Sequence, residues 1–111
     1  MRIKVGQPLS ETESQVQQEV TIRNPHGLHA RPIMRFVDLA GTFRSRLRVR
    51  NVTRNGELLD GKSAFEMMLL EATFGNVLRL EADGPDAQSM IAALVELIET
   101  TLAAEPADPS D

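Results

Sequence analysis

The sequence predicts an α+β fold, a two-layer open-faced sandwich in which three helices cover one face of a four-stranded, mainly antiparallel sheet. Two observations support this prediction. The spacing of apolar residues along the 111-residue chain changes between strand-like and helix-like in the order β-α-β-β-α-β-α. Each predicted helix has one apolar face and each predicted strand alternates apolar and polar residues, so one side of the sheet needs a helical cover.

The first strand and the first helix flank a loop at residues 23–28. Val16, Val20 and Ile22 alternate with polar residues and predict the strand. In the helix the apolar residues recur at helical spacing, and Gly41 stands where a C-terminal cap would end it. The apolar residues of this helix are Ile33, Phe36, Val37 and Ala40.

The second and third strands are predicted to form a hairpin. Leu47, Val49 and Asn51 alternate with arginines, and Asn55-Gly56 is typical of a two-residue hairpin turn. The third strand then follows at residues 57–59. The alternating arginines are Arg44, Arg46, Arg48 and Arg50.

A short second helix is predicted next. Ser63 and Glu66 have the Ser-x-x-Glu spacing of a capping box, and the helix that it opens is expected to bury Phe65, Met68 and Leu69.

The fourth strand and a long closing helix complete the fold. Leu78, Leu80 and Ala82 alternate in the strand with Val77, Arg79 and Glu81. Gly84-Pro85-Asp86 opens the helix, with the proline in its first turn. Its buried stripe is predicted to comprise Ala87, Met90, Ile91, Leu94, Leu97, Ile98 and Leu102.

Length and composition fit one domain. Residues 15–104 are predicted to form it, with residues 1–14 as a flexible N-terminal extension and residues 105–111 as a disordered C-terminal tail. The chain has no cysteine, which excludes thiolate chemistry and cysteine metal sites. No apolar run approaches the roughly 20 residues of a membrane span, and the first residues lack a secretory signal. We therefore expect a cytoplasmic protein with no direct membrane insertion.

The charge is distributed unevenly. The formal net charge is −4, yet residues 23–54 hold eight arginines and one acidic residue, a charge of +7. A positive segment on an acidic chain favours a local anionic partner. The arginines of the second strand are interpreted as a solvent-exposed sheet face. A nucleic-acid surface is the alternative, but with four Phe and no Trp or Tyr the chain offers few stacking platforms, so no nucleic-acid partner is expected.

Residues 24–32, Asn-Pro-His-Gly-Leu-His-Ala-Arg-Pro, carry the chemical signal. His29 falls at or next to a helix N-cap, where the first backbone amides and the helix dipole favour a bound phosphate. Arg31 adds a guanidinium that can clasp phosphate oxygens. Neutral imidazole is a nucleophile near physiological pH, and a phosphorylated imidazole is a good leaving group. The pattern alone leaves open a plain helix cap or a fortuitous pair of His26 and His29, and a metal site is weaker because no third ligand is nearby.

Residues 27–32, Gly-Leu-His-Ala-Arg-Pro, resemble the active-site signature of HPr, the histidine-containing phosphocarrier family of the bacterial phosphotransferase system. The resemblance extends over residues 16–103 and includes the element order, the Asn55-Gly56 turn and the Lys62-Ser63 pair that opens the second helix. It implies that enzyme I passes a phosphoryl group to Nδ1 of His29, which passes it to enzyme IIA domains. Arg31 and the backbone amides of Ala30 and Arg31 would stabilise that group.

The resemblance also implies a stoichiometric carrier rather than an enzyme. Apart from the transient phosphoryl group it implies no cofactor and no metal, and it implies a monomer. In the family, a serine at the position of Ser63 is the target of an ATP-dependent HPr kinase in many bacteria, which makes that kinase a candidate partner. The alternative function is a regulatory interaction module, controlled by phosphorylation of His29 or Ser63 without sugar transport.

Four residues are candidates for partner docking. Arg35, one helical turn after Arg31, is expected to join the docking surface. Phe65, Met67 and Met68 are either core residues or part of the apolar patch that the family offers to its partners. Glu71 takes a place often held by glycine, a departure that bears on partner specificity more than on the phosphohistidine chemistry.

Overall fold

The computed structural model describes residues 15–104. Its four strands are β1 (Gln15–Thr21), β2 (Arg46–Asn51), β3 (Leu59–Asp60) and β4 (Val77–Asp83). Its helices are α1 (Ala30–Ala40), α2 (Ala64–Met68) and α3 (Ala87–Glu96), and α3 continues through a π-helical turn at Leu97–Thr101 into a last turn at Leu102–Ala104. The extension predicted at residues 1–14 and the tail predicted at 105–111 lie outside the described residues.

The sheet has the strand order β1-β4-β2-β3, and each described pairing is antiparallel. β4 is the long central strand, because β1 pairs along it from Gln15 opposite Asp83 to Thr21 opposite Val77, and β2 pairs along its other edge. α3 packs on β1 and β4, and α1 packs on both α2 and α3. The predicted α+β open-faced sandwich is confirmed.

The core lies between the sheet and the helices. The alternating residues of β2 and β4 and the predicted stripe of α3 are all buried, as the sequence indicates. The stretch Ala87–Ala104 is long and apolar enough to cross a membrane by length and composition alone. Its buried stripe, from Ala87 to Leu102, belongs to the core of the domain, as is usual for a helix that covers one face of a sheet.

The connection between β2 and β3 differs from the predicted two-residue hairpin. Val49 pairs with Leu59, so the third strand comprises Leu59–Asp60 and the connection spans the residues between the pair. Asn55 has a φ of 54°, as a turn asparagine can, but the turn is closed by the Gly56 N–H donating to the carbonyl of Asn51 at 3.0 Å. β2 pairs with β4 as far as Asn51, so the chain turns back toward β3 only after that residue.

The prediction for the buried face of α2 is wrong. Phe65, Met68 and Leu69 are exposed, whereas Met67 and Leu70 are buried. The helix has only five residues, and Met67 with Leu70 three positions later is the pair that faces the core.

The start of α3 also differs from the prediction in one detail, because Pro85 precedes the N-cap residue Asp86 instead of lying in the first turn. The Asp86 carboxylate accepts hydrogen bonds from the backbone N–H groups of Arg44 and Ser45, both at 2.9 Å, and from the Ser45 hydroxyl at 2.6 Å. The Ser45 hydroxyl, followed by the Arg44 amide, lowers the pKa of Asp86 from 3.8 to about 2. These bonds tie the start of α3 to the start of β2.

Candidate functional site

The loop between β1 and α1 rests on the segment that precedes β4. The backbone N–H of Ile22 donates to the carbonyl of Asn76 at 2.9 Å, and that of Gly75 donates to the carbonyl of Ile22 at 2.8 Å. Further along the loop, the N–H of Leu28 donates to the carbonyl of Ala72 at 2.9 Å. The loop is therefore held at both ends by residues that come much later in the chain.

A sharp turn at Gly27 brings the loop to His29. Gly27 has a φ of 69°, and a Cβ on it would lie 2.5 Å from the carbonyl oxygen of Ala72, so the position requires glycine both for its backbone and for its space. Inside the turn, the side-chain amide of Asn24 donates to the carbonyl of Gly27, whose own N–H donates to the carbonyl of Asn24 at 3.0 Å.

The structure thus gives Asn24 a role that sequence reasoning missed. The side chain is buried, at 8 % exposed, and it braces the turn that precedes His29. The Asn24-Pro25 pair is a recognised signal for the start of a turn, and this signal could have identified it.

The segment beneath the loop is itself ordered by Asn76. Its side-chain oxygen accepts hydrogen bonds from the Asn51 amide at 2.9 Å and the Thr73 backbone N–H at 3.1 Å. The Asn51 amide also donates to the carbonyl of Leu70 at 3.1 Å. This buried polar network joins β2 to the segment on which the His29 loop rests, and a satisfied network of this kind favours one arrangement of the backbone.

His29 is the N-cap residue of α1, as predicted. Its backbone is extended, with φ −92° and ψ −166°, and its carbonyl accepts the first helical hydrogen bond, from Ile33 at 3.0 Å. The imidazole is partly exposed. The amides of Ala30 and Arg31 occupy the first turn, for which the helix itself supplies no acceptor, and Pro32 contributes no N–H. The geometry places a nucleophilic side chain at the positive end of a helix dipole.

Arg31 and Arg35 are both exposed on α1, one helical turn apart. Their guanidinium groups add positive charge on the part of the helix that begins with His29. An anion bound near His29 would gain from this charge and from the helix N-terminus together.

Apolar side chains are exposed on α1, on α2 and on the segment after α2. Phe65 is the most exposed of them, at 73 %. We name this set the apolar patch, and its members are Met34, Phe65, Met68, Leu69 and Phe74. Phe65 and Met68 thus fit the predicted docking role, whereas Met67, at 1 % exposed, cannot touch a partner and leaves the set of docking candidates. Phe65, Met68 and Leu69 lie at helical spacing on one face of α2, and exposed apolar residues grouped in this way indicate an interaction surface.

Ser63 caps α2, as predicted, because its hydroxyl accepts the Glu66 backbone N–H at 3.1 Å. The Glu66 carboxylate does not complete a reciprocal capping box. It accepts the backbone N–H of Asp60 at 2.8 Å instead. Ser63 is partly exposed and stands at the start of the helix that carries Phe65 and Met68.

The arginines of β2 lie on the open face of the sheet, where Arg46 and Arg48 lie opposite acidic residues of β4 and Arg50 lies opposite Arg79. Arg46 pairs with Asp83 in the register and contacts its carboxylate at 3.3 Å, and Arg48 lies opposite Glu81. Arg50 donates to the carbonyl of Gly56 at 2.7 Å. Because Asp83 offsets the charge of Arg46 and Glu81 lies opposite Arg48, the arrangement favours an ordinary solvent-exposed sheet face over a nucleic-acid surface.

Comparisons with known proteins agree with this geometry. Residues 16–100 match the family model described as the PTS HPr component phosphorylation site. The phosphocarrier protein HPr of Cupriavidus necator is 42% identical over 83 residues, which cover 75% of this chain and 90% of that protein. The multiphosphoryl transfer protein of Haemophilus influenzae is 38% identical over 94 residues, 80% of this chain but only 19% of that longer protein.

Solved structures show the same fold. The structure of HPr-C-His from Thermoanaerobacter tengcongensis matches with a TM-score of 0.74 and 36% identity, covering 82% of this chain and 99% of that one. An HPr dimer from the same organism matches with a TM-score of 0.61 and 38% identity, covering 75% and 92%. The family match spans most of the domain, including the loop and helix that carry His29. The chain belongs to the HPr family, the phosphocarrier proteins of the bacterial phosphotransferase system.

Proposed function

We propose that the chain carries a phosphoryl group on Nδ1 of His29, accepts it from phospho-enzyme I and donates it to enzyme IIA domains. The observation that carries the proposal is the position of His29. It is the N-cap of α1, at the end of a loop that is hydrogen-bonded to Ala72 and braced by Asn24. A site for phosphoryl transfer needs mainly positioning and charge stabilisation, and this site offers both.

In the proposed transfer, the Nδ1 lone pair of neutral His29 attacks phosphorus. The new N–P bond forms as the bond between phosphorus and the donor breaks, and the reverse exchange delivers the group to the acceptor. The amides of Ala30 and Arg31 and the guanidinium of Arg31 would stabilise the negative charge of the phosphoryl oxygens. The protein would end each cycle unchanged, as a carrier rather than an enzyme, and the reaction would need no cofactor or metal.

Docking in this proposal uses Arg35 and the apolar patch, because both lie on or beside the helix that begins at His29. An acidic face on enzyme I and on the IIA domain would complement Arg31 and Arg35, while the apolar patch would contribute buried area. We place the carrier in the cytoplasm, as a monomer, and sedimentation velocity of the purified chain tests the oligomeric state.

A regulatory module is the second candidate function, and the position of Ser63 favours it. A phosphate on Ser63 would add a dianion at the start of α2, beside the exposed Phe65. It would weaken docking to an acidic partner without touching His29. An HPr kinase would be the partner that adds the phosphate.

Intact mass spectrometry after incubation with phosphoenolpyruvate and an active enzyme I tests the carrier function. We expect one added phosphoryl group that is lost on brief acid treatment, because phosphohistidine is acid-labile. His29→Ala should show no addition. His26→Ala is the matched control, since His26 is an exposed histidine of the same loop, and it should be phosphorylated normally. An unmodified wild-type chain in the presence of its own active enzyme I would refute the carrier function.

A further inference from the structure

Glu71 has a backbone conformation that glutamate rarely adopts. Its φ is 51°, in the left-handed region, and Asn55 is the other non-glycine residue with positive φ among residues 15–104. Asparagine tolerates this region because its short side chain can hydrogen-bond locally, whereas glutamate gains no such compensation. Glycine at position 71 would therefore give a more stable protein, and the presence of glutamate calls for a reason.

Contacts among the described residues do not supply that reason. Within residues 15–104, Nη1 of Arg54 lies 3.9 Å from the Glu71 carboxylate, and the two side chains are 46% and 73% exposed. Nε of Arg54 also donates to the side-chain oxygen of Asn76 at 3.3 Å, so the guanidinium is shared. A long, exposed ion pair of this kind contributes less to stability than the left-handed backbone costs.

The position of Glu71 points to a partner instead. It precedes Ala72, whose carbonyl holds the His29 loop through Leu28, and it lies in the chain between two exposed members of the apolar patch, Leu69 and Phe74. A partner that covers these two side chains and the segment between them would take the Glu71 carboxylate into the interface. Arg54 is shared with Asn76, so a carboxylate removed from water here would gain from a second cation opposite it.

We propose that Glu71 is a specificity-determining residue whose carboxylate pairs with a lysine or arginine on the docking face of the phosphoryl donor. This inference rests on the proposed function. The docking face of the donor would then carry groups of both signs, with acidic groups opposite Arg31 and Arg35 and a basic group opposite Glu71. Such a pattern selects one donor over another that is acidic throughout, because the latter would repel Glu71.

Two substitutions at position 71 separate the charge from the backbone strain. Glu71→Gln keeps the side-chain size and the left-handed backbone but removes the charge, whereas Glu71→Gly removes both. Glu96→Gln is the control, because Glu96 is an exposed carboxylate on α3 and its loss changes the net charge equally. The measurements are the Tm of each variant and the steady-state KM and kcat for its phosphorylation by the enzyme I encoded in the same genome.

We expect Glu71→Gln to raise KM about fivefold, with kcat and Tm unchanged. Glu71→Gly should raise KM equally and raise Tm by roughly 4–8 °C, because the strain is relieved. Glu96→Gln should alter neither. The wild-type KM should also rise more steeply with sodium chloride than that of Glu71→Gln.

A KM for Glu71→Gln that is unchanged, or lower than wild type, would overturn the inference while leaving the carrier function intact. An equal rise of KM with sodium chloride for the wild type and Glu71→Gln would overturn the inference as well. Failure of the proposed function looks different, because the wild-type chain itself would then gain no phosphoryl group from enzyme I.

Discussion

The carbonyl oxygen of Ala72 occupies the space that a side chain on Gly27 would need, since a Cβ there would lie 2.5 Å away from it. The same oxygen accepts the N–H of Leu28 at 2.9 Å. Two backbone segments are thus in direct contact beneath the loop that ends at His29. This contact, together with the Asn24 side chain that braces the turn, fixes the path by which the loop enters α1.

Gly27→Ala should lower the free energy of unfolding by about 2–5 kcal/mol, because a left-handed alanine costs ~1–2 kcal/mol and the overlap with Ala72 adds ~1–3 kcal/mol. Gly75→Ala is the matched control. Gly75 has a φ of 87°, but a Cβ on it would meet no atom within 4 Å, so only the backbone cost of about 1–2 kcal/mol is expected. Urea unfolding measures both, and equal losses would show that the contact with Ala72 is unimportant.

Two residues of α2, Met67 and Phe65, should respond differently to substitution, the first in stability and the second in docking. Met67→Ala should lower the free energy of unfolding by about 2–5 kcal/mol, because it leaves a cavity in the core. Phe65→Ala should change stability by no more than about 0.5 kcal/mol but raise the KM for phosphorylation by enzyme I. Thermal unfolding and the transfer assay together separate the effects. A normal KM for Phe65→Ala would remove the apolar patch from the docking surface.

Substitutions of Ser63 can separate its capping role from its regulatory one. Ser63→Ala should lower stability by about 1 kcal/mol because the Glu66 N–H loses its acceptor. Ser63→Asn and Ser63→Asp both keep an acceptor, so their stability should stay close to that of wild type. If a negative charge here weakens docking, only the aspartate variant should raise the KM of phosphoryl transfer, by about two- to fivefold. Equal kinetics for the two variants would argue against electrostatic regulation at this position.

The Asp86 carboxylate should make stability depend on pH in the acid range. The Ser45 hydroxyl and the Arg44 amide hold its folded-state pKa at about 2, below the ordinary 3.8. The bonds to the charged carboxylate therefore stabilise the fold fully above about pH 4, and this contribution is lost as the pH falls toward 2. Asp86→Asn removes the titration. The Tm difference between wild type and this variant should be constant from pH 7 to 5 and shrink between pH 4 and 2, and a constant difference down to pH 2 would contradict the assignment.

Long periodic patterns in the sequence predicted the fold well. The stripe of α3 from Ala87 to Leu102 and the alternation in β4 repeat often enough to define their buried faces. The position of His29 at a helix N-cap was also predictable, because the strand before it and the helix after it are both regular.

Short elements and long-range contacts were not predictable in the same way. In α2 both possible faces are apolar, so five residues cannot show that Met67 and not Phe65 enters the core. The Asn55-Gly56 signal is local, whereas the register of β3 is set by the pairing of Leu59 with Val49. The Asn24-Pro25 pair signals a turn locally, whereas the contact of Gly27 with Ala72 joins residues far apart in the chain and leaves no local signal.

The contact between Leu28 and Ala72 also determines when the carrier site can exist during folding. The two residues are 44 positions apart, and the bond from the Ile22 N–H to the carbonyl of Asn76 spans 54 positions. Bringing together residues so far apart in the sequence costs conformational entropy before the contacts between them form. Folds that depend on such long-range contacts therefore form slowly. A nascent chain that has emerged only as far as β3 has the complete signature around His29 but not the segment that supports it. Competence to accept a phosphoryl group should therefore appear late and all at once, together with the pairing of β4.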